Sequence, residues 1–136
     1  MVKIYGPIEE FEKMYSVLNL NTAPVVQIDN MFLISGMTGV DPKTGNIEYE
    51  DDFRKHVMLT LSNVETMLLK SAGISLDHVV KVNAYLKNPE DFKVWNELFY
   101  EYFQEPYPAR TTVVSALVVG SIEIEVVAAS ESRITT

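Results

Sequence analysis

The chain has 136 residues, the size of one domain, and its 47% hydrophobic and 22% charged residues exclude intrinsic disorder and a fibrous repeat. Eleven Lys and Arg against 19 Asp and Glu leave a formal charge of −8, which opposes attraction to nucleic-acid phosphates and to anionic membrane. The absence of cysteine rules out disulfides, thiolate-held zinc, iron–sulfur clusters and a thiol nucleophile, and His56 and His78 are too few for a His-rich metal site.

The opening residues MVKIYGPIEE carry no basic region followed by an apolar run, and no stretch approaches the roughly 18 apolar residues that span a bilayer. A soluble, cytoplasmic protein is expected. Residues 1–23 read as an N-terminal extension holding a short helix, since Ile8, Phe11, Tyr15 and Leu18 fall at helical spacing after Gly6-Pro7. Residues 24–136 read as the domain proper. It opens with a hairpin, Val25 to Ile28 and Met31 to Met37, turning at Asp29-Asn30, and the turn formers from Asp41 to Asn46 predict an exposed loop.

From Asp51 to Ser71, Phe53, Val57, Leu61, Val64 and Leu68 mark one face of a helix, with two acids at its positive end and Gly73 at its stop. Val79 to Leu86 alternates and is rich in β-branched residues, predicting a strand. Asn88-Pro89-Glu90-Asp91 then starts a helix running to about Phe103, with Phe92, Trp95, Phe99 and Phe103 on one stripe. Thr111 to Val119 and Ser121 to Ala129 predict two final strands. The order β-β-α-β-α-β-β is that of an α+β domain.

Strand faces carry a second message. Met31, Leu33 and Met37 oppose Phe32 and Ile34, and Val113, Leu117 and Val119 oppose Val114, Ala116 and Val118, so both faces are apolar. Two substantial helices cover one face of such a sheet, and a bare apolar face of several hundred Å2 is uncommon on a monomer. Another subunit is expected on the other face.

Among residues able to do chemistry, Arg110 stands out because it opens a strand after Pro106-Tyr107-Pro108-Ala109. Its five-donor fork suits a carboxylate, although a surface arginine balancing an acidic chain fits the same residues. Glu123 and Glu125 alternate with Ile122, Ile124 and Val126. They form either a solvated strand face or, on the strand adjacent to Arg110, a carboxylate able to orient water beside an arginine-held substrate. Ser35-Gly36 ends a strand, where glycine permits close approach of a ligand or marks a bulge. Asn96, beside Trp95, offers an amide to a ligand or to solvent. His56, off the apolar stripe of its helix, reads as solvated, and His78 has no partner visible in sequence. The acidic run Glu48 to Asp52 lacks a calcium-loop spacing.

In combination these segments become recognisable. Asn30-Met31-Phe32-Leu33-Ile34-Ser35-Gly36, Asp41-Pro42-Lys43-Thr44-Gly45, Ser75-Leu76-Asp77-His78-Val79-Val80-Lys81-Val82, Pro108-Ala109-Arg110-Thr111-Thr112-Val113 and Ile122-Glu123-Ile124-Glu125 stand in that order. Over roughly residues 24 to 130 the chain resembles the RidA/YjgF/UK114 family of reactive-intermediate deaminases. The resemblance implies a chorismate-mutase-like (YjgF-like) single domain with helices on one face of a mixed sheet, and a homotrimer with clefts between subunits. It implies cofactor-free, metal-free hydrolysis of small 2-imino acids, in equilibrium with enamines of the 2-aminoacrylate and 2-aminocrotonate type, to 2-keto acids and ammonia. Carried over by motif, Arg110 binds the substrate carboxylate and Glu123 positions water, while Ser35, Gly36, Asn96 and Thr112 line the cleft.

The chain departs from the family pattern twice. The family's cleft tyrosine is missing from Leu20 to Val26, and the last strand connection, ending at Val119-Gly120-Ser121, is about two residues short. Three alternatives follow from the same resemblance: a trimer that binds 2-keto acids or related carboxylates without turnover, an aminomuconate-type deaminase, and a ribonuclease or translation inhibitor. The charge of −8 opposes the last.

Overall fold

The computed structural model describes residues 1–6 and 8–134; Pro7, part of the expected helix start, lies outside them. In chain order the elements are β1 (Val2–Tyr5), α1 (Glu12–Val17), β2 (Val25–Ile28), β3 (Met31–Met37), α2 (Phe53–Ala72), β4 (Val79–Leu86), α3 (Phe92–Tyr102), β5 (Ala109–Val114) and β6 (Ile122–Ala129). The strands form one six-stranded sheet in the order β1-β2-β3-β6-β4-β5. Only β4 and β5 run parallel, and α3 is the crossover that a parallel pair requires. The architecture is the expected α+β domain built on a mixed sheet.

Local chemistry explains why the elements begin and end where they do. Asp52 caps α2 by accepting the Lys55 amide at 3.2 Å, and Gly73 closes it in the left-handed conformation at φ 66°. The helix buries Val57, Leu61, Val64 and Leu68 against the sheet, as their spacing predicts. It also buries Asn63, whose amide donates to the carbonyls of Thr38 and Val40 at 3.1 and 2.8 Å and so fixes the chain leaving β3. Trp95, Phe11 and Phe103 are the bulkiest fully buried side chains.

Residues 1–23 are integrated into this domain. β1 pairs antiparallel with β2, adding an edge strand the sequence reading did not contain, and Phe11, Met14 and Tyr15 pack into the core from the short helix that it did. Four residues of alternation are too few to predict a strand without knowing that β2 offers a free edge.

Other differences have equally local causes. The strand expected from Thr111 to Val119 ends at Val114, because its neighbour β4 stops at Leu86 before Asn88-Pro89; the Ser115 amide makes the last bond, to Leu86 O at 2.9 Å. A bulge between Ile34 and Met37 turns Met37 to the helix side, so it is buried with Phe32 and Ile34 and not opposite them. Phe92, expected on the buried stripe of α3, is 42% exposed.

His56, expected in solvent, is fully buried. Its Nδ1 lies 2.6 Å from the Glu48 carbonyl, and its Nε2 accepts the Ser121 amide at 3.1 Å. Those two partners require the neutral tautomer protonated at Nδ1. The polar side chain is thereby satisfied inside the core, which helical periodicity alone does not reveal. His78 has a local partner, accepting the Ser75 amide at 3.3 Å in a capping box.

Arg133, beyond the last strand, donates to four carbonyls: Val79 at 2.6 Å, Pro106 at 2.7 Å, Leu76 at 2.8 Å and Gln104 at 3.1 Å. It ties the start of β4 to the connection that leads into β5.

Candidate active site

Arg110 is the second residue of β5, an edge strand of the sheet. Alternation along β5 turns Arg110 and Thr112 toward α3, and Thr112 accepts the indole N–H of Trp95 at 3.0 Å. The guanidinium carbon sits 4.5 Å from the ring centre of Phe99, 5.7 Å from Phe92 and 5.9 Å from Tyr100. The exposure of Phe92 now has a reason: it is one wall of an aromatic cradle at the sheet edge. Cation–π attraction holds the charge while leaving the donor fork in the guanidinium plane available. Nη1 is buried and has no hydrogen-bond partner among the described residues. A buried donor without an acceptor costs on the order of 1–3 kcal/mol.

Asn96 belongs to the same neighbourhood by helical spacing. It lies four residues after Phe92, three before Phe99 and four before Tyr100, and is partly buried.

Glu123 occupies the other side. Along β6, Ile122, Ile124, Val126 and Ala128 point to the helices and are buried, so Glu123 and Glu125 face away from them. Glu125 is committed, accepting the Tyr85 hydroxyl at 2.6 Å and the Asn83 amide at 3.4 Å. Glu123 has no hydrogen-bond partner among the described residues, and burial, followed by the charge of Glu125, pushes its carboxyl pKa above the ordinary value. Tyr85, cross-strand partner of Glu123, has its phenol pushed up by the hydrogen bond to Glu125. Tyr85 was absent from the expected site because the register that sets it opposite Glu123 is not written in either strand.

Ser35 and Gly36 lie beside this carboxylate. The Ser35 hydroxyl donates to Ala23 O at 2.7 Å and holds the approach to β2. A Cβ on Gly36 would run into the Glu123 carboxylate, so a larger residue here would push that side chain out of its present position. Of the two sequence readings of Gly36 the structure shows the bulge, and the group that comes close is the Glu123 side chain. Glu123 also borders two cavities, one of about 250 Å3 with mostly apolar walls and one of about 330 Å3 toward Tyr85 and Glu125.

Contrary to the sequence reading, the strand of Glu123 is not adjacent to that of Arg110. β4 lies between their strands, and the two side chains leave opposite faces of the sheet. Thr112 and Asn96 go with Arg110, and Ser35 and Gly36 with Glu123. The described residues include no group of three or more His, Cys, Asp or Glu able to hold a metal ion, and no helix long and apolar enough to cross a membrane.

Comparison with known proteins adds ancestry to this geometry. Residues 14–130 match the family model described as Endoribonuclease L-PSP. A RutC family protein of Pyrococcus horikoshii is 41% identical over 108 residues, covering 78% of this chain and 84% of that protein. The human protein named 2-iminobutanoate/2-iminopropanoate deaminase is 37% identical over 105 residues, covering 76% and 75%. Among solved structures, RidA from a Psychrobacter species superposes with a TM-score of 0.74 at 36% identity, covering 80% of this chain and 88% of that one. The strand-end Ser35-Gly36, the Pro108-Ala109-Arg110 entrance to an edge strand and the Glu123 face of β6 are therefore features of a chain that belongs to the RidA/YjgF family, the Endoribonuclease L-PSP group.

Proposed function

We propose that the protein is a cofactor-free deaminase that hydrolyses small 2-imino acids to 2-keto acids and ammonia at clefts formed between copies of the chain. The observation that carries this reading is the Arg110 guanidinium, held 4.5 Å over Phe99 in an aromatic cradle at an edge strand with its Nη1 buried and without a hydrogen-bond partner among the described residues. The imine carboxylate takes the guanidinium fork and fixes the C2 carbon. Glu123, from a neighbouring copy, accepts a proton from water as the oxygen adds to C2. The C=N π pair moves to nitrogen, which is protonated, giving a carbinolamine. Collapse then forms C=O, breaks the C–N bond and releases ammonia, so one water is consumed for each imine. A carboxyl pKa held above its ordinary value by burial and by Glu125 makes Glu123 a stronger base for this proton transfer.

The assembly has its own support. Val2 at 60%, Ile4 at 68%, Met31 at 43%, Leu33 at 41% and Val113 at 43% exposure line the sheet face that the helices leave bare. A homotrimer covers this face and brings an Arg110 half to a Glu123 half. Light scattering should give three times 15.4 kDa.

The decisive test is complementation. Arg110→Ala and Glu123→Gln homotrimers should each retain no more than about a hundredth of wild-type activity on 2-aminocrotonate generated by a pyridoxal-phosphate dehydratase. Co-assembled in equal amounts, they should recover about a quarter of wild-type activity, the chance that a site draws both intact halves. Absence of recovery from a verified mixed trimer rejects the intersubunit site. Binding of 2-ketobutyrate with no turnover by the wild type would instead leave a carboxylate-binding trimer.

A further inference from the structure

Resting on that reading, we infer that the short N-terminal helix and the turn after it build a subsite for an aliphatic substrate side chain, making imines of branched or longer aliphatic amino acids better substrates than that of alanine. The subsite is the cavity of about 250 Å3 beside Glu123. One wall is Met14 and Leu18 from α1 with Leu20 from the following turn; facing them are Met37 and Val40 at the end of β3. Gly36 and Glu123 form the border, so a substrate whose C2 lies at the Glu123 carboxylate has this space within reach of its side chain. The cavity has too much room for a methyl group and offers few polar partners to a hydroxyl or a second carboxylate.

The placement is a property of the fold. Phe11, at 0% exposure, and Tyr15, at 8%, anchor the helix in the core, which leaves Leu18 and Leu20 at the rim. Gly45, at φ 79°, lets Val17 sit directly on the loop after β3, since a Cβ there would come 2.6 Å from Val17 Cβ. The helix is thus locked between the core and that loop, and its apolar end has a fixed position next to Glu123. The negative charges of Glu123 and Glu125 add a second selection, against imines that carry a side-chain carboxylate.

The test generates imines in situ with an L-amino-acid oxidase and catalase, and follows keto-acid release above the spontaneous rate. The leucine-derived imine should exceed the alanine-derived one in kcat/KM by at least about tenfold, the least discrimination that a buried methylene ordinarily gives. The glutamate-derived imine should be the poorest. Leu18→Lys and Leu20→Lys should each cut the leucine-to-alanine ratio by about tenfold; Leu20 is 44% exposed, so its variant folds even if the other does not. Equal rates for leucine- and alanine-derived imines overturn the subsite while leaving the deaminase reading standing. Inactivity on every imine overturns the deaminase reading, and calorimetry then decides the subsite: 4-methyl-2-oxopentanoate should bind at least about fivefold tighter than pyruvate, and equal affinities reject it.

Discussion

Arg110 and Glu123, the two halves of the proposed site, sit in opposite surroundings. Arg110 projects from an edge strand onto the helix side, where Phe92, Phe99 and Tyr100 hold its charge but give its Nη1 nothing to donate to. Glu123 projects from a strand inside the sheet onto the face away from the helices, half-buried beside a second carboxylate and without a hydrogen bond among the described residues. Each half lacks what the other has. With β4 between them and the sheet itself in the way, one chain does not join them, and the proposed function therefore needs a second copy of the chain.

Removing the cation should have the largest effect. Arg110→Ala deletes both the fork and the charge, and kcat/KM should fall by at least about a thousandfold, with 2-ketobutyrate binding lost in calorimetry. Arg110→Lys retains a point charge without the bidentate geometry and should recover only part of the loss, roughly tenfold. Full activity in the lysine variant would mean that charge alone suffices and that the aromatic cradle is packing.

Next in size is the carboxylate. Glu123→Gln should lower kcat by about a hundredfold, at the low end of general-base contributions, and change 2-ketobutyrate affinity by less than threefold. That split between turnover and binding is the kinetic form of the division between the halves. If affinity falls as far as turnover, Glu123 is holding the ligand and the two halves share one role.

Arg133 tests how the Arg110 half is kept in place. Its four carbonyl partners pin Gln104 and Pro106, just ahead of Arg110, to the start of β4. Arg133→Met should destabilise the fold by about 1–2 kcal/mol, after allowing for solvent around the side chain, in denaturant unfolding. Binding of 2-ketobutyrate should weaken severalfold while kcat at saturation is retained. A kcat loss equal to that of Glu123→Gln would show that the tail also supports the opposite half.

Sequence made the Glu123 half easier to read than its partner. Alternation alone set Glu123 and Glu125 on one face, and the bulge reading of the Ser-Gly at a strand end matches the irregularity between Ile34 and Met37. Arg110 was visible as an arginine at the head of a strand, but its cradle was not. Phe92 looked like core because helical spacing cannot tell that β5 is the last strand and leaves that side of α3 open. His56 and Asn63 show the same blindness to tertiary polar partners, since their acceptors and donors are backbone groups of segments 8 to 65 residues away. That β4 separates the strands of Arg110 and Glu123 was not legible, because no local pattern encodes strand order.

The smallest expected effect bears most directly on whether the halves meet before substrate arrives. Because burial and Glu125 raise the Glu123 pKa, the folded chain binds that proton more tightly than the unfolded one. The ionised group therefore destabilises the fold above its folded pKa, and this penalty disappears as pH falls below the unfolded value of about 4.3. Glu123→Gln keeps the shape without the charge. It should be more stable than wild type at pH 7 to 8, by no more than about 1 kcal/mol because solvent reaches part of the side chain, and the two unfolding curves should converge near pH 4. The measurement belongs at protein concentrations both below and above assembly. If the glutamine variant is instead the less stable form at pH 7 only when assembled, a guanidinium from the neighbouring copy already compensates Glu123 without ligand. The assembled site would then be a preformed ion pair for substrate to open, whereas stabilisation at both concentrations leaves the two charges apart until an imine carboxylate occupies Arg110.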